Sequence, residues 1–128
     1  VVRVAQRTEL LGEPELRYHA SRPIGRLANV VAGTGGYNED GSIAPDFAGQ
    51  ASQVFENIRT SLAEAGATVD HIVKMMVFIA DKEDMDTYRT IRAKYLSNPN
   101  YPTSTMVAVK DLAFPDLRLA VEVVAYIG

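Results

Sequence analysis

The segment from Gln50 to Lys82 changes its hydrophobic period once, and this change constrains the fold more than any other feature of the sequence. Its first part belongs to a predicted helix from about Asp46 to Ala65, with Asp46 as a favourable N-cap and Gly66 as a favourable end. The apolar residues at helical spacing are Phe47, Ala51, Val54, Phe55, Ile58, Leu62 and Ala65. The following run, Ile72 to Ala80, is apolar and rich in branched side chains, which is typical of a central strand. The sequence therefore predicts a helix packed on a sheet.

Further elements follow from the same patterns. A second helix is predicted from about Lys82 to Leu96, with Asp81 as its cap and with Met85, Tyr88, Ile91, Tyr95 and Leu96 on one side. Strands are predicted at about 27–32, 103–109 and 117–127, with a weak edge strand at 1–5. The stretch 18–26 is polar, contains Pro23 and Gly25, and is assigned no strand. The order β, β, α, β, α, β, β favours an α+β fold with both helices on one face, in a single domain over residues 1–128.

Composition excludes several classes of protein. Apolar residues make up 47% and charged residues 23% of the 128 residues, which is ordinary for a globular domain. The net charge of -3 makes a nucleic-acid partner unlikely. No apolar run is long enough for a membrane span and no signal core is present, so we predict a cytoplasmic protein without a membrane partner. The absence of cysteine excludes thiolate catalysis.

The glycine-rich stretch GTGGYNEDGS, residues 33–42, was tested as a phosphate cradle. It lacks the Lys-Ser/Thr pair of a P-loop and the GxGxxG spacing, and Glu39 and Asp40 would repel an anion. A turn is therefore favoured. The backbone at Gly33 and Thr34 keeps a narrower role, as the lining of a small pocket.

Glu122 is the most informative single residue. Period two places Leu117, Leu119, Val121 and Val123 on one face of the last strand, and Arg118, Ala120, Glu122 and Val124 on the other. A carboxylate among apolar residues in mid-strand needs a partner or a wet cavity. Lys74 is the obvious candidate partner, since it is the only charged residue inside the strand from Ile72. The pattern leaves a structural salt bridge and an acid/base role equally open.

The face of the sheet without helices is predicted to be apolar. Its expected residues are Met76, Phe78, Met106, Ala108, Ala120 and Val124. Because an apolar face of this kind needs a partner, we expect a homo-oligomer in which sheets pack together. The two histidines, His19 and His71, show no ligand spacing, so no metal site is predicted. Ser104 and Thr105 lack the GxSxG elbow of a serine hydrolase.

Several stretches resemble the Rid family, the reactive intermediate deaminases also called YjgF. They are Gly49 to Leu96, the AGTGG turn, the PTST segment after Tyr101 and the terminal VEVVA. The most specific part is the framework of Gln53, Asn57, Leu62, Ala65-Gly66, Val73-Lys74, Val77-Phe78 and Asp81. The resemblance runs from about Tyr18 to Ala125. It implies a chorismate mutase-like α+β fold, assembled as a homotrimer whose sheets form a central barrel, with a cleft for a small molecule between neighbouring subunits.

The resemblance also implies an activity, the hydrolysis of enamines and imines such as 2-aminoacrylate without a cofactor. Such a site needs a carboxylate clamp and a group that positions water. By position, the water-handling glutamate is Glu122. The ligand-binding positions are Tyr18 for the pocket tyrosine, Gly33 for the glycine whose backbone contacts ligand, Thr90 for the pocket asparagine, Ser104 for the clamp arginine and Met106 for the cysteine beside the water. Thr34 and Thr105 complete the predicted binding set.

Ser104 is the departure that matters most. Replacing the guanidinium by a hydroxyl removes a bidentate pair worth roughly 1.5–3 kcal/mol. The favoured function is therefore a Rid-like hydrolase of an imine, enamine or related metabolite that does not need this clamp. Arg22 or Arg26 is a conceivable replacement. The alternatives are a non-catalytic trimer that binds a metabolite or a protein, and an endoribonuclease, an older family label that the acidic balance disfavours.

Overall fold

The computed structural model describes residues 3–4, 20–24, 28–97 and 101–127, which form a mixed sheet with two helices packed on one face. The strands are β1 (Arg3–Val4), β2 (Ala20–Ile24), β3 (Ala28–Gly35), β4 (Ile72–Ile79), β5 (Thr103–Ala108) and β6 (Leu119–Tyr126), and the helices are α1 (Phe47–Glu64) and α2 (Met85–Tyr95). The strand order is β1-β2-β3-β6-β4-β5. Only β4 and β5, among these neighbours, run parallel. The predicted α+β class is confirmed.

Helix α1 begins and ends where the sequence predicts. Its apolar stripe is buried from Phe47 to Leu62, and Ala65 is half-buried at the C-cap. Asp46 occupies the N-cap with an extended backbone, although its side chain makes no capping hydrogen bond. Gly66 has a φ of 81°, in the left-handed region that ends many helices.

The two sides of the sheet differ in burial. We call the side that packs against the helices the helix face and the opposite side the open face. Across β4 and β6, the helix face carries Met75, Val77, Ile79, Leu119, Val121 and Val123, and the open face carries Lys74, Met76, Phe78, Ala120, Glu122 and Val124. The helix-face residues are buried, while those of the open face are half-buried or exposed. The faces predicted for residues 119–124 are confirmed. Leu117 and Arg118 precede β6, and the Arg118 guanidinium contacts Asp84 and the ring of Phe47 on α1, so its predicted place on the face of Glu122 is wrong.

The prediction for β5 is wrong by one residue. Met106 and Ala108 were expected on the open face, but the parallel register pairs Met106 with Val77, and Met106 packs against the buried core. Thr105 and Val107 lie on the open face instead. Apolar side chains occur at both alternate positions of this strand, so the pattern alone did not determine which set faces the helices.

Strand β2 was not predicted. Its sequence, ASRPI, is polar and contains Pro23, which usually argues against a strand. Pro23 pairs with Asn29 of β3, whereas β1 pairs only with Ala20 and Ser21. At Pro23, therefore, β2 has a neighbouring strand on one side only within the described residues, and the missing N–H is tolerated there.

The second predicted helix is a short 3₁₀ turn, Lys82–Asp84, followed by α2. The carboxylate of Asp81 accepts a hydrogen bond of 2.9 Å from the Glu83 amide, so its predicted role as a cap is confirmed. All five residues predicted for the inner side of this helix are buried or packed against the core. Neither described helix is long and apolar enough to cross a bilayer.

Hydrogen bonds from two buried side-chain amides connect α1 to the chain around the sheet. The Nε2 group of Gln50, 1% exposed, donates to the carbonyls of Ala44 and Asp116 at 3.1 and 2.9 Å, and its Oε1 accepts from the Arg118 amide at 2.9 Å. One side chain thus joins the segments that precede α1 and β6.

Asn57 makes the second connection. Its Nδ2 group donates to the carbonyls of Gly35 and Tyr37 at 3.0 and 2.9 Å. The chain that leaves β3 is thereby held against α1. The following stretch forms the predicted turn, in which Asp40 Oδ1 accepts from the Ser42 amide at 2.9 Å.

Candidate functional site

Glu122 lies in the middle of β6 on the open face. Its neighbour on β4 is Met76, and the flanking residues of its own strand, Val121 and Val123, are buried on the helix face. Glu122 is exposed, and its carboxylate forms no ion pair or hydrogen bond with the described residues. Its oxygens are therefore available to accept hydrogen bonds from water or a ligand.

Strand β3 contains a bulge beside Glu122. The pairing of β3 with β6 is regular as far as Val31 and resumes at Thr34, so two residues, Ala32 and Gly33, lie opposite the single residue Glu122. A bulge of this kind interrupts the ladder of backbone hydrogen bonds and redirects the strand. Two predicted site residues, Gly33 and Glu122, are thus neighbours across the sheet.

Lys74 is close to Glu122 but is not paired with it. It lies opposite Val124 on the open face, which makes it a diagonal neighbour of Glu122 at about 7–8 Å between Cα atoms. No ion pair joins the two side chains, both of which are among the described residues. The structure therefore contains no salt bridge between them.

Thr105 shares the open face with Glu122. Met76 pairs with Glu122 on one side and with Thr105 on the other, so the three residues form a row across the sheet. With strands about 4.8 Å apart, the Cα atoms of Glu122 and Thr105 are about 10 Å apart.

Ser104 and Met106 lie on the opposite face. Ser104 pairs with Met75, a helix-face residue, and is itself exposed because β5 is the last strand of the sheet. Within one chain, the sheet separates Ser104 and Met106 from Glu122. A pocket that unites these predicted residues needs a second subunit.

The other predicted ligand residues do not surround Glu122 in the single chain. Thr34 is fully buried on the helix face, opposite Val121. Thr90 is exposed on α2, and its hydroxyl donates to the Asp86 carbonyl at 3.1 Å. Tyr18 lies outside the described residues.

Helix α2 and the segment before β5 contain a cluster that the sequence analysis missed. The guanidinium carbon of Arg92 lies 5.9 Å from the ring centre of Tyr88 and 5.6 Å from that of Tyr101. Both distances are within the range of cation–π contacts. Tyr88 and Arg92 are four residues apart on a predicted helix, and this spacing was the available signal.

Tyr88 is fully buried, and its hydroxyl has no hydrogen-bond partner among the described residues. Burial raises its pKa to about 12, although the positive charge of Arg92 acts in the opposite direction. Tyr88 also stacks on Phe55 of α1, with ring centres 6.0 Å apart. This tyrosine is therefore neutral at physiological pH and fixed in position.

Comparison with known proteins identifies the family. The family model described as Endoribonuclease L-PSP matches residues 13–127. The chain belongs to this family, the YjgF or Rid family.

Individual relatives agree with this assignment. The RutC family protein YjgH of Escherichia coli K12 is 37% identical over 108 residues, which are 84% of this chain and 82% of YjgH. The 2-iminobutanoate/2-iminopropanoate deaminase of Salmonella typhimurium is 31% identical over 87 residues, 66% of this chain and 67% of that protein. A crystal structure of E. coli TdcF with bound serine superimposes with a TM-score of 0.78 at 28% identity, covering 84% of this chain and 86% of TdcF. The Rid family thus includes proteins named as deaminases and one with a small bound ligand.

Two grooves of this Rid family chain lie along α1. One of about 460 Å³ is lined in part by Tyr37, Gln53 and Asn57, and another of about 400 Å³ in part by Arg59 and Thr68. Neither groove is lined by Glu122 or Ser104. Among the described residues, no three His, Asp or Glu side chains are grouped closely enough to hold a metal ion.

Proposed function

We propose that this Rid family protein is a cofactor-independent deaminase that hydrolyses a small imine, enamine or related reactive metabolite. The observation that carries the proposal is the position of Glu122, an unpaired carboxylate beside the Gly33 bulge. The name of the Salmonella relative, a 2-iminobutanoate/2-iminopropanoate deaminase, supports imine hydrolysis as the type of reaction.

The reaction requires only water and proton transfers. Water adds to the carbon of the C=N bond as one of its protons passes to the Glu122 carboxylate and then to nitrogen. The resulting carbinolamine loses ammonia and leaves a C=O group. An enamine first becomes an imine by taking a proton at carbon. Since no electrons leave or enter the substrate, the reaction needs no redox cofactor.

The proposed site lies between subunits of a homotrimer. Ser104 and Met106 are on the helix face at the sheet edge, whereas Glu122 is on the open face, so neighbouring chains must supply the two sets. The open face supports this assembly because it presents half-buried Met76 and Phe78 beside the exposed Val107. Apolar surface of this extent favours contact with another copy of the chain.

Ser104 determines the proposed substrate range. A serine hydroxyl offers one hydrogen-bond donor, whereas the arginine of the Rid family offers a charged guanidinium group with several donors. Standard 2-aminoacrylate deamination at full efficiency is therefore not proposed. The substrate is an imine or enamine whose binding does not depend on an arginine at this position.

A turnover assay on freshly generated 2-aminoacrylate and on neutral imines tests the proposal, with wild type and Ser104→Arg compared at equal trimer concentration. We expect turnover of a neutral imine by wild type, and a gain on 2-aminoacrylate in Ser104→Arg. If neither protein hydrolyses any imine or enamine faster than the uncatalysed reaction, the deaminase function is wrong. A non-catalytic metabolite-binding trimer, which the uncharged Ser104 position favours, then takes its place.

A further inference from the structure

Two buried donor groups on α2 lack an acceptor among the residues that the structure describes. Three buried side-chain atoms lack hydrogen-bond partners among the described residues: Ser61 Oγ, Tyr88 Oη and Arg92 Nε. The last two belong to neighbours one turn apart on α2. Both groups carry a hydrogen that they can donate.

Arg92 is also free of acidic partners. Its guanidinium makes no ion pair or hydrogen bond with any described residue, whereas Arg59, Arg89 and Arg118 each pair with a carboxylate. The two tyrosine rings hold the group in place without using its N–H donors. Of its three nitrogens, only Nε is both buried and unpartnered. The Arg92 guanidinium is therefore held in a defined orientation, and its paired N–H donors match the two oxygens of a carboxylate.

The topology places Arg92 beside the predicted ligand residues of β5. Because β4 and β5 are parallel, α2 runs back between them, and its last turn, which contains Arg92, lies near the beginning of β5. The contact with Tyr101 agrees with this placement. Ser104 follows Tyr101 by three residues, a span of at most about 10 Å, and lies on the helix face of the sheet.

We propose that Arg92, oriented by Tyr88 and Tyr101, binds the carboxylate of a small organic acid in the cleft beside Ser104. This inference rests on the proposed function, because it gives the same cleft a source of positive charge from α2. The charge of Arg92 then extends the ligand class to small 2-imino or 2-oxo acids, which the serine at position 104 alone would disfavour. Arg92 also replaces the sequence-based candidates: Arg22 lies in strand β2, which β3, β6 and β4 separate from β5 in the strand order, and Arg26 lies outside the described residues.

The test measures binding of pyruvate and of pyruvamide, its uncharged analogue of similar shape, by calorimetry at constant ionic strength. Wild type is expected to prefer pyruvate by about ten-fold or more, which corresponds to about 1.4 kcal/mol. Arg92→Met should abolish the preference. Arg89→Met is the matched control, since Arg89 lies on the same helix but is exposed and paired with Asp86; it should keep the preference.

Two further measurements separate ligand recognition from a structural role. The NMR signal of the Arg92 Nε–H should shift on addition of pyruvate, while that of Arg89 stays in place. Arg92→Lys keeps the charge and should retain part of the preference, so a loss caused by misfolding would be recognised. Equal preference in Arg92→Met and wild type, no preference in wild type, or an unchanged Arg92 signal, as expected if only water occupies the site, would each overturn the inference.

These results are independent of turnover. A wild type that binds pyruvate through Arg92 but hydrolyses no imine refutes the deaminase function and leaves the binding site in place. A wild type that hydrolyses imino acids with the same KM as Arg92→Met refutes the role of Arg92 and leaves the deaminase function in place.

Discussion

Gly33 lies across from Glu122 at a bulge where two residues of β3 face one residue of β6. The regular ladder is interrupted at this point, so backbone polar groups are available beside the only carboxylate of β6. A backbone donor next to a group that can position water is a useful combination for imine hydrolysis.

Glu122→Gln should abolish hydrolysis and leave the fold intact. Glutamine has nearly the same shape but cannot accept a proton, and the exposed carboxylate has no described partner whose loss would destabilise the sheet. Turnover measured beside the melting temperature checks both parts. Val107→Thr, also on the open face but outside the predicted binding set, serves as a control, and full activity in Glu122→Gln would contradict the mechanism.

Gln50→Leu should lower the free energy of unfolding by on the order of 3 kcal/mol. The change leaves the Ala44 and Asp116 carbonyls and the Arg118 amide without their partner. Urea unfolding measures the loss. Gln53→Ala is the matched control on the same helix, because Gln53 is only half-buried and bonds to Asn57 alone; an equal loss in both variants would show that the buried amide has no special role.

Gly66→Val should destabilise the protein by about 1–2 kcal/mol. A Cβ at this position meets no atom within 4 Å, so the cost comes from the positive φ of 81° and not from a clash. Gly66→Asn should cost less, since asparagine tolerates the left-handed region. Thermal unfolding of the two variants compares them, and similar losses for both would argue against a conformational origin.

Stability should fall between pH 10 and about 12 because of Tyr88. Its pKa is near 10 in the unfolded chain and is raised to about 12 by burial in the folded protein, so the unfolded state loses its proton first as the pH rises. The contribution of Tyr88 to the free energy of unfolding is fully present below pH 10. It is lost as the pH rises to about 12, at about 1.4 kcal/mol for each pH unit.

Tyr88→Phe removes this titration. Urea unfolding at pH 9 and pH 11 should show a smaller decrease for the variant than for wild type. Tyr37 and Tyr95 also have raised pKa values, through burial first, and their contributions cancel in the comparison. At pH 9 the variant should be at least as stable as wild type, since the removed hydroxyl has no partner in the described part of the chain. Parallel pH profiles would contradict the assignment.

The sequence was sufficient to predict the elements whose apolar residues follow one clear period. The predicted stripe is buried from Phe47 to Leu62 in α1, and Leu119, Val121 and Val123 are buried in β6, because each element has a single apolar stripe or face. Strand β2 was missed because proline and polar residues are uncommon in strands. Proline is tolerated at position 23 because this residue pairs with a described strand on one side only.

The candidate site was less predictable than the fold. The position of Glu122 on the open face follows from period two along β6, but the neighbour Gly33 depends on a bulge in another strand. The placement of Ser104 depends on the register of a parallel pair, which distant residues determine. Arg92 was missed because its partner Tyr101 lies across a loop that no local pattern connects to α2.

The alternation along β5 allows its two sides to change independently. Thr103, Thr105 and Val107 face one side of the sheet and Ser104, Met106 and Ala108 the other, so substitutions at even positions can alter one surface without touching the second. Insertion or deletion of one residue in β5 would exchange the two sets and disturb both surfaces at once. Natural variation in this strand should therefore consist of substitutions rather than changes in length.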